Sequence, residues 1–199
     1  MTLFHQFIFL VLTYFIAAIP FGLVLVKIFV KKDVRNFGSK NIGATNVVRV
    51  AGKKLGFVTL MLDGLKGALM VIIARFAFYD AENLHLFLVV VAAIAVIAHV
   101  YPVYLNFKGG KGVATAIAVL FALDASVGFL AVCFWIMSFC LFRISSVSSI
   151  LAIMSSILIS SNFEAPKSQI IFCCFLTILI LVRHKENIMR LILGEEKRI

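Results

Sequence analysis

Three short polar stretches in an otherwise apolar chain hold the residue types that handle phosphate. GSKNIGATNVVR, residues 38–49, gathers Ser39, Asn41, Thr45, Asn46 and Arg49 around two glycines. Arginine offers a planar fork to a phosphate or carboxylate, and serine and asparagine can fix its orientation. FKGGKGVAT, residues 107–115, sets Lys108 and Lys111 around Gly109 and Gly110. Glycines let backbone N–H groups approach a ligand, successive N–H groups form an anion-binding nest, and the lysines add full charge. A helix expected to begin at Val113 points its N-terminal N–H groups at the same loop. The third stretch gives His184 and Asn187, flanked by Arg183 and Arg190. On a helix continuing from the span before it, their i, i+3 spacing places them on one face, where they can handle a proton. Blander readings fit the same residues: a glycine turn with lysines at lipid headgroups, a well-capped loop, and an interfacial histidine. Asp63 and Lys66, also i, i+3, fall inside an apolar segment, where isolated charges are costly. They are expected to pair and to support the site.

Some chemistry is set aside by what the sequence lacks. No G-x-S-x-G nucleophile elbow occurs, and no Walker A loop: GSKNIGAT has the glycine spacing but Ala44 where that loop has lysine. No H-x-x-x-x-D acyltransferase box exists, because Leu10, Val90, Tyr104 and Met189 stand five residues after the four histidines. Those histidines are scattered, and the four cysteines lie in apolar segments without C-x-x-C spacing, so no metal site is expected.

The elements that must position these residues are membrane spans. Hydrophobic residues make up 63% of the 199, against about 45–50% in a soluble domain. The excess must face lipid, and without water to satisfy the backbone the spans must be helices. Seven apolar segments are marked by their interruptions: about 3–30, 55–79, 84–106, 112–123, 126–142, 144–160 and 169–183. The first three reach the roughly 20 residues a span needs, the fourth is short, and the last three are marginal. The first is too long for a signal-peptide core and is read as a retained helix. Net charge is +10, and sixteen of the 19 cations lie in the odd-numbered connections, the C-terminal tail or the span ends beside them. The even connections are short and acidic, as in DAEN, residues 80–83. The positive-inside rule then puts the N-terminus outside and the C-terminus in the cytoplasm, as an odd number of spans requires. Basic charge at span ends serves topology and anionic headgroups rather than nucleic acid. The expectation is a single all-α polytopic membrane domain, residues 1–199, whose polar elements all converge on the cytoplasmic face. The residues alone reach a site for anionic phosphates beside lipid, and do not name the reaction.

Taken together, GSKNIGATNVVR, LDGLKG (62–67), HVYPVYLNFKGGKGVAT (99–115) and HKENIMRLILGEE (184–196) resemble the bacterial acyl-phosphate:glycerol-3-phosphate acyltransferases, the PlsY family. The likeness touches essentially the whole chain. Lys40 and Ala98 depart from it, each where the family usually has glycine. The resemblance implies transfer of a fatty acyl group from acyl phosphate to the 1-hydroxyl of sn-glycerol 3-phosphate, giving lysophosphatidate and inorganic phosphate. It implies no cofactor, a place in the bacterial cytoplasmic membrane among its lipids, and the enzyme supplying acyl phosphate as a candidate partner. It marks Ser39, Arg49, His184 and Asn187 as needed for activity, Gly109, Gly110 and Lys111 as the glycerol 3-phosphate loop, and Glu195 as structural. Lys108, Asn41, Thr45 and Asn46 complete the expected phosphate-binding set. A transporter for a phosphorylated solute is the rival from another class. It should show polar groups through the depth of its spans, and here they gather at one side. A lipid-binding scaffold without catalysis does not explain the paired sets Ser39/Arg49 and His184/Asn187.

Overall fold

A computed structural model describes residues 2–198, and among them every regular element is helical. Nine α-helices follow in order: α1 Leu3–Ala17, α2 Phe21–Val30, α3 Ala44–Ala77, α4 Leu84–Val100, α5 Val113–Leu123, α6 Ala125–Phe142, α7 Ser145–Asn162, α8 Lys167–Arg183 and α9 Lys185–Ile192. Five stretches are long and apolar enough to cross a membrane: Leu3–Val30, Ala44–Ala77, Leu84–Leu105, Ala125–Phe142 and Ser145–Asn162. A sixth is reached if α8 and α9, bent by 62° at their junction, count as one. The expected fourth segment is α5, whose 11 residues span about 16 Å, short of a bilayer core of about 30 Å.

The chain divides into two compact units, the first running to Val119 and the second from Leu120. In the first, α4 is the hub. Val91, Ala92, Ala95, Val96, Ala98 and Val100 are fully buried, and the helix packs against both α1 and α3. The first apolar segment is two helices, because Pro20 lacks the N–H that would continue α1. The long polar connection expected over 31–54 is also partly helical. After a short 3-10 turn, Val34–Asn36, α3 begins at Ala44 and kinks at Gly52, where φ is 84° and ψ is 170°. Beneath this connection Leu23, Val26, Val34, Ile42 and Val47 form one apolar cluster.

In the second unit α7 packs against both α6 and α8. Its buried face is rich in serine, including Ser148, Ser149, Ser155, Ser156 and Ser160. Small side chains let membrane helices approach closely. The hydroxyls of Ser148, Ser149, Ser155 and Ser156 donate back to carbonyls of their own helix or its cap, so burying them leaves no bond unmade.

Candidate active site

The first polar stretch is an ordered loop stapled by one side chain. Asn46 is 1% exposed, and its Nδ2 donates to the carbonyls of Val34, Phe37 and Asn41 at 3.1, 3.0 and 2.8 Å. Its Oδ1 accepts from the Ser39 N–H at 2.9 Å. An amide so occupied sets the shape of the loop. Asn41 makes a local turn, its Oδ1 accepting the Gly43 N–H at 2.8 Å. Ser39 and Thr45 are half-buried, and Arg49 is exposed on the first turns of α3. Nearby, Arg35 grips Asp33 with Nε and Nη2 at 2.9 and 2.7 Å. That bond holds the Asp33 carboxyl at about 2, well below the usual carboxylate range.

The glycine-rich loop follows α4. Residues 108–112 have no regular structure, and α5 begins at Val113 as the sequence led one to expect. The N–H groups of Gly109 and Gly110 donate to the carbonyls of Val100 and His99, at 3.1 and 3.2 Å. Those two N–H groups therefore fasten the loop to the end of α4 rather than lining an open nest. A Cβ on Gly110 would overlap the His99 ring at Nε2, so only glycine lets the loop lie this close. Lys108 is exposed and Lys111 half-buried. Asp63 and Lys66 do pair, Nζ to Oδ1 at 2.8 Å, with both side chains buried.

In the second unit the chain does not continue straight from α8. His184 is the C-cap of α8 and the N-cap of α9, with φ −101° and ψ 7°, and the axis turns there by 62°. His184 and Asn187 thus stand at the N-terminal turn of α9 rather than on an unbroken helix, and both are buried. His184 Nδ1–H donates to the Ile180 carbonyl at 2.8 Å. A carbonyl only accepts, so the neutral ring carries its lone pair on Nε2, the tautomer a general base needs. Asn187 Nδ2 donates to Glu196 Oε1, which also accepts from Ser146 Oγ at 2.9 Å, while Glu196 Oε2 accepts from Arg190 Nε at 2.7 Å. Burial alone pushes the Glu196 carboxyl up, but the bonds from Asn187, Arg190 and Ser146 outweigh it and hold it below its ordinary value. Glu195, expected as the supporting residue, is exposed. Glu196 ties the tail, and Ser146 and His99 are contacts that sequence reasoning did not single out.

The family model for glycerol-3-phosphate acyltransferases matches residues 7–194. The glycerol-3-phosphate acyltransferase of Ehrlichia canis (strain Jake) is 42% identical over 190 residues, covering 96% of each chain. That of Pelagibacter ubique (strain HTCC1062) is 38% identical over 186 residues, covering 94% of this chain and 93% of its own. Among solved structures, the glycerol 3-phosphate form of PlsY, an integral membrane glycerol 3-phosphate acyltransferase, superposes with a TM-score of 0.92 at 37% identity. That superposition covers 98% of this chain and 96% of PlsY. Its lysophosphatidic acid form gives 0.88 at 36%, covering 98% and 95%. This integral membrane protein belongs to the glycerol-3-phosphate acyltransferase family.

Proposed function

We propose that the chain moves a fatty acyl group from an acyl phosphate to the 1-hydroxyl of sn-glycerol 3-phosphate. The products are lysophosphatidate and inorganic phosphate, in the first acylation of phospholipid synthesis. Family membership carries the reading, and relatives solved in glycerol 3-phosphate and lysophosphatidic acid forms support it.

The chemistry asks little of a nucleophile. Acyl phosphate is an activated mixed anhydride, and the glycerol hydroxyl attacks its carbonyl carbon directly. A carbon–oxygen bond to glycerol forms, the carbon–oxygen bond to phosphate breaks, and phosphate leaves with the electron pair. The hydroxyl proton goes to His184 Nε2 or to the departing phosphate. The balance closes without metal or cofactor. Asn187, fixed by Glu196, and His184, fixed by Ile180, hold the reacting groups. Arg49, Lys108 and Lys111 offset the repulsion of two phosphates held close. Ser39, Asn41 and Thr45 orient them within the loop that Asn46 shapes, and Gly109 and Gly110 let that loop close on α4. Orientation of two bound reactants supplies up to about 7–11 kcal/mol of the barrier reduction.

All seven apolar segments are assigned to one polytopic domain of the bacterial cytoplasmic membrane, with the N-terminus outside and the site on the cytoplasmic face. The concentration of cations in the odd connections and tail supports this orientation. The donor assignment is tested by offering the purified protein labelled glycerol 3-phosphate with palmitoyl phosphate, palmitoyl-CoA or palmitoyl-acyl carrier protein. Label should enter lysophosphatidate with palmitoyl phosphate alone. Comparable transfer from either thioester would overturn the assignment.

A further inference from the structure

Asp63, Lys66 and His99 are buried together in the first unit, at 2%, 5% and 4% exposure. Lys66 Nζ donates to Asp63 Oδ1 and to the Ile19 carbonyl, both at 2.8 Å, so it neutralises the carboxylate and caps the break between α1 and α2. That pair satisfies the charge. A further contact then reaches the glycine-rich loop: His99 Nδ1 lies 3.7 Å from the same Oδ1, and the Nε2 side of the ring abuts Gly110. The His99 carbonyl holds the Gly110 N–H. At the loop's other end, Thr115 Oγ1–H donates to the main-chain carbonyl of Asp63 at 2.7 Å, and Thr115 is fully buried. One residue of α3 therefore meets both Thr115, just after the loop, and His99, whose ring lies against Gly110 within it. Lys111 lies between these two contacts, and Lys108 stands two residues before Gly110.

We infer that Asp63, His99 and Thr115 are positioning residues for glycerol 3-phosphate: they touch no substrate, and they set where Lys108 and Lys111 meet its phosphate. The inference rests on reading residues 108–111 as that phosphate's site. A buried strut of this kind acts on affinity for one substrate. It fixes the cations against one phosphate and leaves the groups at the reacting carbon alone, so it should move KM for glycerol 3-phosphate and spare kcat.

The test is steady-state kinetics on purified full-length protein, varying each substrate in turn, for Lys111→Ala, His99→Gln, Thr115→Val and the double variant His99→Gln/Lys111→Ala. Thr115→Val keeps shape and removes one hydrogen bond, so it decides the matter alone should His99→Gln fail to fold. Lys111→Ala and His99→Gln should each raise KM for glycerol 3-phosphate about tenfold or more, with a smaller rise for Thr115→Val. For His99→Gln and Thr115→Val, KM for palmitoyl phosphate and kcat should stay within about twofold, and the double variant should fall short of the product of the singles. If Lys111→Ala leaves that KM unchanged, the loop is not the glycerol 3-phosphate site, and both readings fall. If Lys111→Ala raises it while His99→Gln and Thr115→Val only lower the melting temperature, or depress kcat and both KM values alike, the positioning role is wrong and the loop assignment stands.

Discussion

Asn187 and Glu196 share one hydrogen bond, and it decides what a change at either residue does. With Asn187 holding the reacting groups as proposed, Asn187→Ala should cost about a hundredfold or more in kcat. Asn187→Asp is nearly isosteric, yet it sets a second carboxylate against Glu196. We expect it to match alanine in lost activity and to be less stable than alanine by about 1–3 kcal/mol, read as melting temperature in detergent. Glu196 also gives the tail a pH dependence. Its folded value lies below the ordinary 4.5, so its contribution is fully present above pH 4.5 and is lost as pH falls through the lowered folded value. Hydrogen exchange in α9 should be flat from neutral pH down to that window, once corrected for intrinsic rates, and then rise. A Glu196→Gln variant should lose this step. From the sequence, Glu195 and Glu196 together are expected to tie down the tail by salt bridges, and the resemblance gives the structural role to Glu195; motif likeness carries no geometry past the end of a helix. Gly194, at φ 70°, turns the chain back after α9, and the N–H groups of residues 195 and 196 both donate to the Arg190 carbonyl. That turn, not helical spacing, chooses which carboxylate faces inward.

At the scale of elements, hydropathy found every apolar stretch and missed the breaks within and beside them. Composition averages over a window, whereas a break needs one residue. Pro20 splits the first segment, and His184 ends α8 before a 62° bend. Residues 44–51 read as part of a polar connection, yet they form the first turns of α3, because the run is too short to span and Asn46, Arg49 and, just after it, Lys53 and Lys54 interrupt the apolar pattern. Its junction with the spanning part is Gly52, whose φ and ψ fall in a region essentially restricted to glycine. No neighbouring atom lies within 4 Å of where a Cβ would sit. Gly52→Ala should nonetheless destabilise the protein by about 1–3 kcal/mol, through backbone strain alone. A melting temperature equal to that of the unmutated protein would contradict the kink. The candidate site was legible as residue types. Its scaffolding was not: Asn46 stapling its own loop and His99 lying under Gly110 join residues through contacts that no periodicity encodes.

For the whole molecule, the charge asymmetry is the topological signal in the sequence, and it calls for an odd number of spans. Five stretches are long enough to span, six with the bent pair, and α5 remains short. The seven-span reading predicts opposite sides for residues 82 and 197. In a cysteine-free background, Glu82→Cys should react with a membrane-impermeant maleimide in intact cells, and Lys197→Cys only after permeabilisation. Labelling of both from outside would refute the orientation. The reaction itself is tested most directly by stoichiometry: phosphate and lysophosphatidate measured together from palmitoyl phosphate and purified protein, with and without glycerol 3-phosphate, beside Asn187→Ala. The account predicts equal amounts of the two products, no more than background release when glycerol 3-phosphate is omitted, and collapse of both in the variant. Phosphate released at the same rate without glycerol 3-phosphate, or no release by folded protein, would contradict it.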